Sequence, residues 1–334
     1  MNSEESMPKP EARFLTPDEF DRWDRFVDQS PEGTIFHTSP WITTVAHFLN
    51  LQYAIIGVFH KDDLIGGCCF YLYEKFHLYK YGKSNVSLSP YGGIVFSPSK
   101  SKDVRSTETK KHQIISLILD KIRELNLLSI QLTNSPGLLD IRPFSWQGWN
   151  AKVRYTYVLP LENDIFSQAS HSVRQNTRKS RKCGMTAKKE YDPEVYWQLT
   201  TSTWEKQDMK VPYPKELLFA LMEHLYRNNR GEMWIAKTPS GEAAAAFFCV
   251  TDARVVQGWE GANDPRFKET GATTHLLLEM NLDFQKRGYH QINLMAANTP
   301  HLARFYSSFN PRLVPYYEVK KISNDNISRL KGHF

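Results

Sequence analysis

The apolar positions of this chain follow one pattern twice. Residues 111–132 and 274–294 each carry hydrophobic side chains first at helical spacing and then at strand alternation. A single offset of 162 residues superimposes these positions without a gap: Ile114 on Leu276, Ile115 on Leu277, Ile118 on Met280, Ile122 on Phe284 and Ile130 on Ile292. Each half is therefore predicted to contain an amphipathic helix that leads into a buried strand.

A second pair of segments extends the repeat upstream. Residues 63–70 match residues 241–248 at an offset of 178, so an insertion of 16 residues is predicted in the first copy. Helix-then-strand segments look alike in any α/β protein, but the shared order of hairpin, loop, helix and strand favours duplication. We predict two tandem α/β (α+β) domains with mixed central sheets, residues 1–155 and 156–334, and expect the segment after about residue 319 to pack on the first domain.

The remaining pattern places further elements between these anchors. The predicted strands are 53–73 (a hairpin turning at 61–63), 127–132, 147–159, 233–252 (a second hairpin), 255–261, 291–295 and 314–320, and the main helices are 107–124, 271–287 and 300–309. A Ser/Gly/Pro-rich stretch, 84–100, is predicted to be a loop, and its Tyr91 a substrate contact. Glycine lets a backbone approach a ligand closely, but a plain connection with tight turns has the same composition.

Composition agrees with a globular protein. Of the 334 residues, 41% are hydrophobic and 13% aromatic, which suffices for two cores. The polar N-terminus and the lack of an apolar run near 20 residues lead us to expect a soluble, cytoplasmic protein. The four cysteines show no CxxC spacing, so we expect buried, reduced thiols and no metal site.

The net charge of +6 is modest, but a basic run is concentrated at residues 172–184. Arg174, Arg178 and Arg181 recur at i, i+4 and i+7 and so fall on one helical face. Stacked like charges repel, and a bound polyanion would neutralise them. A solvated basic face is the alternative. The scarcity of interleaved acids favours phosphate binding, whether on a substrate, a coenzyme or a tRNA.

A second candidate anion site is the loop 263–274, which follows a predicted strand and opens a helix. Free backbone N–H groups and the helix dipole make such a start a natural pyrophosphate site. Arg266 and Lys268 would add charge, and Gly271 and Ala272 would border the phosphates. Simple capping of the helix by Thr270 is the competing interpretation.

Several motifs together resemble those of the GNAT acyltransferases, and more closely the FemABX-like branch with tandem GNAT-like domains, including the BioF2-like acetyltransferases. The residues that carry the resemblance are Phe36–Trp41, Arg174–Gly184, Trp259–Asp264 and Leu302–Tyr306, with the post-strand Asn298. The resemblance covers nearly the whole chain as a set of modest motifs.

The resemblance implies acyl transfer from a CoA thioester to an amine, without a metal. It assigns catalytic roles to Glu260 as the base, to Tyr306 as the acid that protonates the departing thiolate, and to Asn298. It also makes His37 and Trp41 substrate contacts. On the residues alone, Tyr306 could equally be a core aromatic, and Glu260 a salt-bridge partner of an arginine.

Three functions stay open. The first is an acyl-CoA-dependent N-acyltransferase that modifies a sugar-nucleotide, glycan or peptide precursor in cell-envelope or polysaccharide biosynthesis. The second is an aminoacyl-tRNA-dependent peptidyltransferase of the FemABX type. Relatives of that type typically carry Phe-Lys where this chain has Phe305-Tyr306, which favours a thioester donor. The third is a non-catalytic binding protein, since Asn310-Pro311 replaces the usual terminal glycine. The oligomeric state is left undetermined.

Overall fold

The chain folds into two compact units, each of mixed α/β structure. A computed structural model describes residues 9–75, 79–99, 101–162, 164–205, 208–252 and 255–323. One unit contains the described residues up to Arg154 and those from Tyr316 onward, and the other contains Tyr155–Pro315. The division between the units falls within the residue ranges of two strands, Asn150–Pro160 and Arg312–Ile322.

The first unit is a mixed sheet with helices. Its strands are β1 (Glu11–Phe14), β2 (Gln52–His60), β3 (Asp63–Lys75), β4 (Tyr79–Lys83), β5 (Gly93–Phe96), β6 (Ser129–Thr133) and the end of β13 (Arg312–Ile322), and its helices are α1 (Phe20–Gln29), α2 (Ser39–Leu49), α3 (Val104–Arg123) and α4 (Arg142–Trp146). The strand order is β1-β2-β3-β4-β6-β13, and β5 also pairs with β3. The β4–β6 pair is parallel, and the others are antiparallel.

The second unit repeats this plan. It contains the end of β7 (Asn150–Pro160), α5 (Ile165–Gln168), α6 (His171–Lys182), β8 (Thr186–Lys189), α7 (Pro193–Glu205), α8 (Lys215–Arg227), β9 (Gly231–Lys237), β10 (Ala243–Thr251), β11 (Val256–Asn263), α9 (Ala272–Lys286), β12 (Gln291–Met295) and α10 (Pro300–Ser307). The order is β7-β12-β11-β10-β9-β8, with β11 and β12 parallel and the other pairs antiparallel.

The tandem fold predicted from the repeat is confirmed. Each unit has a hairpin (β2–β3, β9–β10), then a strand (β4, β11), then a helix (α3, α9), then a strand parallel to the one before that helix. Ile130 pairs with Gly82, and Ile292 pairs with Val256, so the two isoleucines related by the offset of 162 hold the same place.

The inserted residues of the first unit interrupt the sheet at one definite position. In the second unit Phe248 of β10 pairs with Glu260 of β11. Its counterpart at the offset of 178 is Phe70 of β3. The neighbours of Phe70 pair with two different strands, Tyr71 with Lys83 of β4 and Cys69 with Gly93 of β5. Residues 84–92 leave the sheet between those strands, so this excursion takes the place that Glu260 holds in the second unit.

The apolar faces of the two matching helices form the centres of the cores. Helix α3 buries Ile114, Ile115, Ile118 and Ile122, and α9 buries Leu276, Leu277, Met280 and Phe284. Each such side chain contributes about 1.5–3 kcal/mol through burial. The expected burial of the cysteines is confirmed for Cys68, Cys69 and Cys249, but it is wrong for Cys183, which follows α6 and is exposed. Within the described part of the chain, every helix is too short or too polar to traverse a bilayer.

Candidate active site

Two tyrosines hold the carboxyl group of Glu260. The hydroxyl of Tyr196, on α7, donates to Glu260 Oε2 at 3.2 Å. The hydroxyl of Tyr213, just before α8, donates to the same oxygen, also at 3.2 Å. No described residue hydrogen-bonds Oε1. Glu260 is therefore fixed through one oxygen and has the other available, and the salt bridge with an arginine considered from the sequence does not form among the described residues.

Burial gives this carboxyl an unusual proton affinity. Loss of solvent raises the pKa of Glu260 from 4.5 to about 7, although the Tyr213 and Tyr196 hydrogen bonds act to lower it by stabilising the carboxylate. A carboxylate that titrates near neutrality is both substantially ionised and basic enough to accept a proton from an amine. These are the properties of a general base.

The position of Glu260 depends on an irregularity in β11. Phe248 faces Glu260 but Cys249 faces Gly258, so Trp259 is an extra residue in the ladder. Such a bulge breaks the alternation of a strand and re-aims the side chains beyond it. Trp259 is buried, and its ring packs edge-on against Phe248 at 5.7 Å.

The parallel strands β11 and β12 separate just before Glu260. Among the described residues, they pair only at Val256–Ile292 and Gln257–Asn293. Buried side chains fasten the last pair: Asn293 Nδ2 donates to Gln257 Oε1 at 2.8 Å, and the Thr156 hydroxyl donates to Asn293 Oδ1 at 2.5 Å. Beyond it, β12 ends at two residues with left-handed backbone, Met295 and Ala296. Glu260 thus lies where the sheet opens.

Tyr306 is within electrostatic reach of this carboxyl. It lies on α10, is 9% exposed and packs edge-on against Phe305 at 5.2 Å. Burial raises its pKa well above the ordinary value, and electrostatic interactions with Cys249 and Glu260 add to the effect. No described residue hydrogen-bonds its hydroxyl. The tyrosine is therefore both a packed aromatic, as one interpretation of the sequence held, and a phenol without a structural partner.

The side-chain amide of Asn298 forms hydrogen bonds with the backbone of Tyr155. Its Oδ1 accepts from the Tyr155 N–H at 3.0 Å, and its Nδ2 donates to the Tyr155 carbonyl at 2.8 Å. The side chain of Asn298, which follows the end of β12, thus holds the backbone of β7 at Tyr155. The catalytic role suggested for Asn298 stays a prediction, and the contacts describe a positioning residue.

The loop after β11 begins α9 with a left-handed glycine. Gly271 has a φ of +75°, and the amide of Ala272 donates to Thr270 Oγ1 at 3.2 Å. Thr270 thus caps one amide, and the next ones in the first turn have no intrahelical acceptor. The Arg266 guanidinium pairs with Asp264 at 2.7 Å inside the same loop, whereas Lys268 is exposed.

The basic segment is a helix, α6, as predicted, and its three arginines have different partners. Arg174 donates to the carbonyls of Ser167 and Ala169 at 2.8 and 2.6 Å. Arg178 stacks over the ring of Phe166, 5.7 Å from its centroid. Arg181 donates to Glu279 of α9 at 2.5 Å. Phosphate binding stays a prediction. Of the three, Arg178 is the arginine whose guanidinium has no hydrogen-bond partner among the described residues.

The substrate contacts predicted in the first unit are buried. His37, Trp41 and Tyr91 are at most 2% exposed. Trp41 donates to the Ser89 hydroxyl at 2.8 Å, and the rings of Trp41 and Tyr91 both pack on Phe36. Burial lowers the pKa of His37 to about 4, so the imidazole is neutral. These side chains organise the residues around the excursion 84–92, and their substrate-binding role stays a prediction.

Sequence reasoning missed Tyr196 and Tyr213. Each lies far from Glu260 in the chain. Tyr196 is on α7, whose helical pattern is explained by burial alone, and Tyr213 is in the segment before α8. The Pro212-Tyr213-Pro214 segment is the one local signal, because a tyrosine between prolines has a restricted backbone. Among the described residues, no group of His, Cys, Asp or Glu is arranged to hold a metal ion.

One domain family and several solved structures match this chain. Residues 167–302 match the acetyltransferase (GNAT) domain, a stretch that contains Glu260, the α9 loop and Asn298. None of the curated proteins matches the sequence of the chain significantly.

Solved structures share the fold over nearly the whole chain. FemX superimposes with a TM-score of 0.72 at 12% identity and covers 96% of this chain and 99% of its own. L-PGS from Bacillus licheniformis gives 0.57 at 12% identity, covering 96% of each chain. A tandem GNAT protein from the clavulanic acid biosynthesis pathway gives 0.53 at 10% identity, covering 94% and 98%. At these identities the likeness establishes the fold.

Proposed function

Because residues 167–302 match the acetyltransferase (GNAT) domain, we propose that this chain is an N-acyltransferase that moves an acyl group from a CoA thioester to an amine. The observation that carries the proposal is Glu260: a carboxyl with a pKa of about 7, with one oxygen fixed by tyrosines, where β11 and β12 separate.

Glu260 would activate the acceptor. An ammonium has no lone pair, so the amine must lose a proton before or during attack on the thioester carbonyl. Oε1 accepts that proton, directly or through a water, while Oε2 stays held by Tyr196 and Tyr213. The new C–N bond forms as the C–S bond breaks. General-base help of this kind is worth about 10²–10⁴-fold in rate.

Tyr306 would assist the leaving group. The departing sulfur carries the electron pair of the broken bond, and a hydrogen bond from the phenol stabilises that charge. The strongly raised pKa of Tyr306 keeps the phenol protonated at neutral pH. It also makes complete proton transfer to sulfur unfavourable, so we assign Tyr306 primarily as a hydrogen-bond donor, with solvent completing the protonation.

The residues after β11 suit a coenzyme A pyrophosphate. Gly271 and Ala272 have no bulky side chain to cover the first turn of α9, so its amides can meet an anion. Lys268 supplies an exposed positive charge, while Arg266 shares its charge with Asp264. The arginines of α6 follow as secondary phosphate contacts. We place the reaction in the cytoplasm, where CoA thioesters are made.

The proposed acceptor is an amine on a sugar-nucleotide, glycan or peptide precursor of the cell envelope or of a polysaccharide. A second candidate, aminoacyl transfer from tRNA, is favoured by the fold likeness to FemX. The residue expected in aminoacyl-transferring relatives is a lysine where this chain has Tyr306, and we therefore rank the thioester donor first.

Ligand-dependent stability tests these candidates. Acetyl-CoA, an aminoacyl-tRNA and a UDP-sugar with a free amino group are each added while thermal unfolding is followed. A ligand at 100 times its dissociation constant stabilises by about 2.7 kcal/mol. Acetyl-CoA should raise the Tm, and thiol release with a panel of primary amines should then identify an acceptor, with Glu260→Gln as the inactive control. Stabilisation by aminoacyl-tRNA alone would select the second candidate.

A further inference from the structure

The hydrogen bonds to the Glu260 carboxyl fall on one of its two oxygens. Both hydroxyl donors lie on Oε2, each at 3.2 Å, and they come from different elements, Tyr196 from α7 and Tyr213 from the segment before α8. One donor would suffice to satisfy a buried oxygen. Two donors on one oxygen fix the carboxyl plane and direct Oε1 away from both.

We propose that Tyr196 and Tyr213 are positioning residues that clamp Oε2, so that Oε1 alone exchanges protons with the acceptor amine. This inference rests on the proposed function. The two tyrosines differ in surroundings: Tyr196 is fully buried, whereas Tyr213 is partly exposed. Tyr196 is thus fixed within the core, and Tyr213 is the tyrosine of the pair that an acceptor can reach.

The hydrogen bonds from the two tyrosines also affect the pH range in which the Glu260 carboxyl is ionised. A hydroxyl can donate to an ionised carboxylate with full strength, so each tyrosine favours the charged form that accepts a proton. Burial opposes them by favouring the neutral form. The ionisable groups that face the carboxyl are Tyr196, Tyr213 and, electrostatically, Tyr306 from α10. Removing one clamp hydroxyl should leave burial in place and weaken the ionised state.

The test is direct titration of Glu260 in the full chain. Glutamate labelled with ¹³C at the carboxyl carbon reports protonation, and the Glu260 signal is identified by its loss in Glu260→Gln. Tyr213→Phe and Tyr196→Phe keep the rings and remove only the hydroxyls. Each should move the midpoint upward by roughly one pH unit, the size expected for one hydrogen bond to a charged group. Tyr191→Phe is the matched control, because the Tyr191 hydroxyl donates to another carboxylate, Glu223, at 3.0 Å.

Unchanged midpoints in both clamp variants would overturn the inference, since a hydroxyl that donates to the carboxylate must favour its ionised form. If the midpoint is unchanged in one of the two variants, the tyrosine replaced in that variant does not clamp Oε2. Kinetics separate this inference from the proposed function. With acetyl-CoA and an amine acceptor, the acidic limb of kcat/KM should move upward with the titration midpoint. If the midpoints move but no amine is acylated, the clamp stands and the proposed function fails.

Discussion

A methyl group on Gly271 would lie 2.5 Å from the backbone oxygen of Asn176, so α9 begins directly against α6. The contact continues along both helices, with the Ser180 hydroxyl 3.1 Å from His275 Nδ1. The basic helix therefore positions the start of α9, where we propose that the coenzyme phosphates bind. The cofactor contact suggested for Gly271 stays a prediction, and the structure shows a packing role for this glycine.

Gly271→Ala should destabilise the chain through two effects. A side chain at a φ of +75° costs about 1–2 kcal/mol, and the clash with Asn176 adds about 1–3 kcal/mol. Gly288→Ala is the matched control, because Gly288 has a φ of +84° and nothing lies within 4 Å of the added carbon. Urea denaturation should show a clearly larger loss for Gly271→Ala. Equal losses would mean that α6 moves away without cost.

The Glu260 carboxyl should make stability depend on pH. Its pKa is about 7 in the folded chain against an ordinary 4.5, so the folded state binds the proton more tightly. The resulting stabilisation is present below about pH 4.5 and is lost as the pH rises to about 7, a change of about 3 kcal/mol.

Glu260→Gln removes this ionisation. The variant should therefore be more stable than the native chain at pH 8 and should lose that advantage at pH 5, as thermal unfolding at the two values will show. Glu223→Gln, which alters a tyrosine-bonded carboxylate on α8, is the control. A pH-independent difference for Glu260→Gln would contradict the raised pKa.

Tyr306→Phe should separate catalysis from packing. Because no described residue hydrogen-bonds the phenol, the free energy of unfolding should stay within about 0.5 kcal/mol. The rate of acetyl transfer should fall by roughly 10²-fold, through loss of the hydrogen bond to sulfur. Tyr306→Ala should cost about 3–5 kcal/mol by opening a cavity beside Phe305 and Phe309. Full activity of Tyr306→Phe would make Tyr306 a core aromatic and nothing more.

Arg178→Ala should weaken coenzyme A binding about threefold to tenfold at low salt, and added salt should shrink the difference by screening. Arg227→Ala, on the exposed face of α8, controls for a general loss of positive charge. Calorimetric titration at two salt concentrations measures both. Identical affinities for Arg178→Ala and the native chain at low salt would show that the basic face serves only solubility.

Much of the fold could be predicted from periodicity because long buried elements carry a strong pattern. The strand Gln291–Met295 was predicted with its observed ends, and the helix from Ala272 within one residue. β8 was missed because it is short and lysine-rich. Among the described residues it pairs on one side only, and such edges favour polar side chains. β4 was missed too, since its alternating Tyr and Lys residues are half-buried.

Residues of the candidate site could be proposed from the sequence, but their arrangement could not, and their roles stay predictions. Glu260 and Tyr306 were identified by resemblance, and their electrostatic relation emerges only from the fold. The two tyrosines on Glu260 Oε2 lie 64 and 47 residues away in the chain, and no local pattern reports contacts of that range. The same holds for the bulge at Trp259, which depends on how β10 and β11 align.

The excursion of residues 84–92 limits the number of reaction centres per chain. Two units of one fold suggest two such centres, but in the first unit the chain has left the sheet where the second presents Glu260. The proposed reaction therefore has a base at this position in the second unit alone. Glu260→Gln should then leave no residual slow phase of acyl transfer from the other half.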